Sequence, residues 1–128
     1  MNKICTSIEQ SKKLIELGID VNTADMYWSI DEIPFPVNDT VTDWKYAQEN
    51  GMLPAWSLSA LLGLMPFHII ENNRFGFYQV KGFNKQGETY CFGYKTNNDS
   101  ILFETSYHND VADAAFEMIC WLLENKKI

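Results

Sequence analysis

The chain predicts an α+β domain: an antiparallel sheet of three to four strands packed by about three helices, in the order helix, irregular segment, helix, strands, helix. Three observations carry this. Residues 110–128 are apolar at helical spacing. Residues 67–105 alternate aromatic with small or polar residues at strand period. The 128 residues are 46% apolar and 21% charged, a composition that lets residues 1–128 form one domain with its own core.

The first helix is expected over about residues 7–17. Thr6 and Glu9 have the spacing of a capping box, Ile8, Leu14, Ile15 and Leu17 supply a buried side, and Gly18 is a left-handed stop on which Ile19 packs back. Residues 19–52 hold little regular structure in this reading. Met26 to Ile30 fit a short strand, Pro34 and Pro36 forbid a long element, and Val41 to Tyr46 fit a second strand or a helical turn. A segment this long without regular elements has a task or is mobile. Leu53-Pro54-Ala55 is expected to open the second helix, with Pro54 in the first turn, where a missing N–H costs nothing. Pro66 ends it.

The strand region follows. Phe75, Phe77 and then Tyr90, Phe92, Tyr94 recur at period two, and residues 84–87 and 97–99 carry turn chemistry. Ile101 to Phe103 begin a further strand, and Asn109 or Asp110 caps the last helix. On that helix Ala112, Ala115, Phe116, Ile119 and Leu123 share one face, which Met118, Trp121 and Leu122 widen. A face this apolar must be covered, and a sheet is the expected partner.

Charge narrows the function classes. The net charge is −7, and residues 19–50 hold seven carboxylates against Lys45 alone, a local balance of −6. Residues 68–98 hold Arg74, Lys81, Lys85 and Lys95 against Glu71 and Glu88, a local +2. Binding through phosphate neutralisation needs a strongly basic face, so nucleic acid is not the expected partner. Cys5, Cys91 and Cys120 are odd in number, widely spaced and free of any C-x-x-C, which speaks against zinc and fits a reducing, cytoplasmic compartment. The longest apolar run, Leu58 to Ile70, is broken by Pro66 and is short of the roughly 20 residues of a membrane span. The glycosylation patterns at 38–40 and 98–100 read as turns.

Enzyme signatures are absent: no G-x-S-x-G, H-E-x-x-H, P-loop or G-x-G-x-x-G, and so no expected cofactor, metal or catalytic residue. Two sparse alternatives exist. Cys91 and His108 form a nucleophile–base pair if their strands adjoin, and Asp99, Glu104, His108 and Asp110 are a loose oxygen- and nitrogen-ligand set. The aromatic strands 75–78 and 90–94 offer a nucleobase-stacking face, the basis of a single-stranded nucleic-acid reading. The acidic segment interleaves carboxylates with large rings, a pattern suited to a protein-binding patch because aromatics dominate interface energetics. Its candidate residues are Tyr27, Trp28, Asp31, Glu32 and Trp44.

Three stretches, SIEQSKKLIELGIDVNTADMYW (7–28), LPAWSLSALLGLMP (53–66) and DAAFEMICWLLENKKI (113–128), together resemble a group of small uncharacterised proteins from gut-bacterial genomes and their phages or mobile elements. They cover under half the chain and are helical packing words. The resemblance implies a small intracellular protein without an established activity and carries over no site residue. The leading expectation is therefore a non-enzymatic interaction module acting on a host or phage protein, or self-associating through the long helix. The alternatives are a small enzyme or ligand-binding domain with a pocket between sheet and helices near Cys91 or His108, and nucleic-acid binding on an aromatic sheet face.

Overall fold

A computed structural model of the chain describes residues 3–37 and 43–128. Helix α1 (Ile8–Glu16) lies where the sequence places it, with a different cap. The Ser7 hydroxyl accepts the Gln10 N–H at 3.0 Å, and the Gln10 side-chain Oε1 accepts the Ser7 N–H at 3.0 Å. Thr6, the expected cap, is buried. Its Oγ1 accepts the Trp56 N–H at 3.1 Å and hydrogen-bonds the Ser11 hydroxyl at 2.7 Å. Two boxes overlap in Thr6-Ser7-Ile8-Glu9-Gln10, and the tertiary need of Trp56 takes Thr6 out of the competition. Gly18 does stop the helix in the left-handed region (φ 93), and the Ile19 N–H returns to the Leu14 carbonyl at 3.1 Å.

The acidic segment is more regular than the sequence suggests. After a single 3₁₀ turn (Val21–Thr23) come β1 (Met26–Trp28), β2 (Pro34–Pro36), helix α2 (Trp44–Glu49) and β3 (Leu53–Ala55). The strands form a small antiparallel sheet in the order β2-β1-β3. Val41, Thr42 and the pattern at 38–40 lie outside the described residues. Leu53-Pro54-Ala55, expected to open a helix, is the edge strand of this sheet. Bonds from Ser29 N–H to Ile33 and from Val37 N–H to Asp25 set the alternation, so Tyr27 points its backbone groups at β2 while Met26 and Trp28 point theirs at β3. Tyr27 opposes Pro54, so the position without an N–H faces away from β1 and costs the ladder nothing. The helix begins later, as α3 (Leu58–Leu64), capped by Ser57, whose hydroxyl accepts the Ala60 N–H at 3.2 Å and donates to Asp25.

Residues 68–104 form the expected meander, with β4 (His68–Glu71), β5 (Asn73–Asn84), β6 (Gly87–Lys95) and β7 (Ile101–Glu104) in sequential order. Helix α4 (Val111–Glu124) is capped by Asp110, whose carboxylate accepts the Ala112 N–H at 2.9 Å, and packs on β6 and α3. Its fully buried line runs through Ala114, Ala115, Met118, Ile119 and Leu122, while Phe116 and Leu123 are half-buried. Trp121 stacks on Phe103 of β7 with centroids 4.6 Å apart. One apolar cluster joins α1, both sheets and the other helices, from Leu14 and Tyr27 through Trp56 and Leu61 to Phe92, Tyr94 and Ile119. Among the described residues no helix is long and apolar enough to cross a membrane.

Candidate functional site

The β1–β2 connection is five residues, Ser29–Ile33, closed by its own bonds. The Ser29 N–H reaches the Ile33 carbonyl and the Glu32 N–H the Ser29 carbonyl, both at 2.9 Å, and the Ser29 hydroxyl accepts the Ile33 N–H at 3.2 Å. Glu32 takes φ 60 to complete the turn. With the backbone satisfied locally, the side chains face solvent. Ile30 is 77% exposed, Ile33 50% and Phe35 41%, and the carboxylates of Asp31 and Glu32 stand between the two isoleucines in sequence.

A groove of about 360 Å³ runs beside this tip. Its lining includes Trp28, Ile30 and Glu32 from the hairpin, Ile8 and Lys12 from α1, and Met52 and Leu53 leading into β3. The Trp28 indole N–H donates to the Thr6 carbonyl at 2.9 Å, which fixes the ring while leaving it half-exposed. Ile30 lies against Gly51, 3.4 Å from where a Cβ would stand, so the φ 84 turn at Gly51 leaves room for the hairpin tip.

Trp28 and Glu32 therefore line one groove, and Asp31 is exposed on the hairpin turn next to Glu32. Tyr27 and Trp44 do not: both are core residues, 9% and 8% exposed, and Tyr27 stacks on Phe35 at 5.7 Å. The residues missed in the sequence are Ile30, Ile33 and Phe35. Large apolar residues read as core, and only the structure shows the five-residue turn and the three-residue strand that leave these exposed.

The alternative chemistries come apart in the structure. The Tyr90 N–H donates to the His108 carbonyl at 2.7 Å, and the His108 N–H to the Tyr90 carbonyl at 2.9 Å. Paired residues share a face, so His108 lies on the Tyr90 side of the sheet and Cys91 on the other. The two strands do adjoin, yet no Cys91–His108 pair forms. The buried Cys91 thiol donates to the Thr105 carbonyl at 3.3 Å, and burial pushes its pKa up. Of the loose ligand set, Asp99 pairs with Lys95 at 3.0 Å, Glu104 takes the Tyr78 hydroxyl, His108 Nε2 meets Glu117 at 2.7 Å and Asp110 caps α4. Among the described residues no cluster of three or more such side chains is placed to hold a metal. Phe75, Phe92 and Tyr94 are buried and Phe77 packs between the last two. The opposite face presents Tyr78 alone of these rings, lying over Gly93.

His108 does line a cavity of about 390 Å³, with Lys3, Gln10, Asp113, Phe116, Glu117 and Cys120. Its charges are mutually committed. Lys3 holds Asp113 at 2.7 Å, Gln10 donates to Asp113 at 2.8 Å, and Glu117 bonds His108 and the Ser106 N–H. Burial alone would raise the Asp113 pKa, but the hydrogen bonds from Lys3 and Gln10 and the Lys3 charge outweigh it, and the net direction is down. Burial, with Glu124 nearby, pushes the Cys120 thiol up to about 11, so it stays protonated at neutral pH. No family model, no curated protein and no solved structure matches the chain.

Proposed function

We propose that the chain is a non-enzymatic protein-interaction module that docks a partner on the β1–β2 hairpin tip and the groove beside it. The observation that carries this is the exposure of Ile30 in the groove beside Trp28, with Ile33 and Phe35 exposed on the other face of the same hairpin. Fully burying a side chain of this size is worth about 1.5–3 kcal/mol, so covering the exposed fractions of these three supplies roughly 3 kcal/mol, about a hundredfold in affinity. Charge names the partner's chemistry. Asp31 and Glu32 stand exposed at the tip, Lys12 is the cation of the groove, and the exposed carboxylates of residues 19–50 outnumber Lys45. An apolar segment flanked by Lys or Arg is complementary to this surface and is steered toward it. In the setting that the sequence resemblance implies, such a segment belongs to a host or phage protein. The ligand-binding alternative has its basis in the His108 cavity, where a ligand must first displace an existing ion pair.

The test uses a displayed peptide library selected against the full chain, followed by amide-shift mapping of the winners. Selected peptides should combine large apolar residues with Lys or Arg and shift the amides of residues 28–35 and 51–53. Ile30→Asp with Ile33→Asp should weaken them at least tenfold. Acidic winners, or shifts confined to other surfaces, would refute the proposal.

A further inference from the structure

The free sheet edges of this protein are treated unequally. On β2 the residues whose backbone groups face outward are Pro34 and Pro36, because Tyr27 and Phe35 bond each other. Neither proline has an N–H, so this edge offers a new strand no donors there. On β7 the pairing with β6 is broken by a bulge at Tyr94/Lys95, and Glu104 holds the Tyr78 hydroxyl. The edge strand β4 has no such guard. The Phe77 N–H bonds the Phe67 carbonyl, which fixes the alternation so that Phe67, Ile69 and Glu71 face β5 while His68 and Ile70 turn their N–H and C=O groups outward. Flanking these groups are Phe67 and Ile70, 85% and 77% exposed.

We propose that β4 is a self-pairing edge. Two copies of this chain join β4 to β4 antiparallel about a two-fold axis at Ile69, merging their four-stranded sheets into one continuous sheet. The second copy is the occupant because the free groups are self-complementary. Rotation about Ile69 sets His68 opposite Ile70 of the other copy, and each pair exchanges two N–H···O=C bonds, four in all. The same rotation covers Ile70 with the opposing His68 and sets Phe67 beside the opposing Glu71. Charge permits the approach although the chain carries −7. At this edge Glu71 is neutralised by Lys127, and Arg74 lies 3.3 Å from His68, so the two copies meet without facing carboxylates unpaired. An edge of four residues buries less than the ~1,200 Å² at the low end of specific interfaces, so the dimer is weak and concentration-dependent.

Sedimentation equilibrium over a concentration series tests this on the full chain. The wild type should rise toward twice the chain mass, with exchange of the His68 and Ile70 amides slowing as it does. Ile70→Pro removes an outward N–H that no native bond uses, so it should melt like the wild type and sediment as one chain at every concentration. Ile70→Lys should do the same by placing a charge at the edge, and stands in should the proline variant fail to fold. Ile30→Asp with Ile33→Asp should leave the dimer unchanged, which separates this surface from the hairpin tip. A wild type that stays at one chain mass at its highest soluble concentration, a dimer that survives both Ile70 changes, or a dimer lost through the hairpin-tip changes would each overturn the proposal.

Discussion

Gly93→Ala is expected to destabilise the fold by forcing Tyr78 off the sheet. Gly93 and Tyr78 are paired residues on one face, and the phenol lies flat where a side chain at 93 would begin. A Cβ there would sit 2.5 Å from Tyr78 Cζ and Oη and 2.7 Å from Cε1, distances no real contact tolerates. The ring cannot shift slightly, because its hydroxyl donates to Glu104 and the Lys95 ammonium stands 4.7 Å above its centroid. Burial first, and then the Glu104 bond, push the Tyr78 phenol pKa up, so the hydroxyl keeps the proton it donates. Losing a hydrogen bond to a carboxylate costs about 1.5–3 kcal/mol and losing a partly exposed cation–π contact about 0.5–1. Relief of glycine's backbone entropy offsets about 0.5–1 kcal/mol. The net is a loss of about 2 kcal/mol, or about 7 °C in melting temperature for a chain of 128 residues. Urea denaturation of the wild type, Gly93→Ala, Tyr78→Ala and the double variant closes the cycle. If the steric account holds, Gly93→Ala costs almost nothing once Tyr78 is alanine. A Gly93→Ala as stable as wild type, or single losses that simply add in the double variant, would refute it.

The two overlapping helix starts separate by substitution. Ser7→Ala removes a cap and should cost about 1 kcal/mol, Thr6→Ala leaves the Trp56 N–H and Ser11 hydroxyl short of a partner and should cost about 1–3, and Glu9→Gln should be neutral in thermal melts. For Asp113 the folded pKa is depressed below the ordinary aspartate value, so its contribution is complete above that value and lost as pH falls through the folded one. Asp113→Asn should therefore be less stable than wild type by about 1 kcal/mol from neutral pH down to about pH 5, with the gap closing below roughly pH 4. A gap that persists at pH 2 would show that the carboxylate charge is not what Lys3 and Gln10 hold.

What could be read in the sequence follows the range of the interactions that decide it. Gly18, the turn before Gly87 and the aromatic alternation of β6 are local, and each is where the sequence places it. The same holds for α4, although its buried line is centred on Met118 and Leu122 rather than on Phe116 and Leu123, because α3 and β6 flank it from that side. Thr6, Pro54 and Trp44 were misread for one shared reason: each answers to a partner far along the chain. Thr6 answers to Trp56, Pro54 to Tyr27, and Trp44 packs into the cluster that closes on α4. At the candidate site, Trp28, Asp31 and Glu32 were visible as an acidic aromatic pattern. Ile30 and Ile33 were not, since an isoleucine reads as core until a five-residue turn is seen to leave it nowhere to go.

The three stretches that carry the sequence resemblance close on one another in space. Thr6, one residue before the first, bonds the Trp56 backbone of the second and receives the Trp28 indole of the first on its carbonyl, and Gln10 of the first holds Asp113 of the third. Leu14, Leu61 and Ile119, one from each stretch, meet in the buried cluster. These words describe a packing unit, and most of the exposed large apolar residues lie outside it. Ile30, Ile33 and Phe35 stand on a hairpin whose backbone is satisfied by its own turn, and Phe67 and Ile70 stand on an edge strand held from one side only. Replacing Ile30, Phe67 or Ile70, each more than three-quarters exposed, by a polar residue should cost the fold within about 0.5 kcal/mol, whereas half-covered Ile33 and Phe35, which stacks on Tyr27, should each cost about 1 kcal/mol. Apolar residues that contribute so little to stability yet remain in water are the residues whose presence binding explains best. If the hairpin tip is the docking surface proposed above, its partner can change through residues the core does not use.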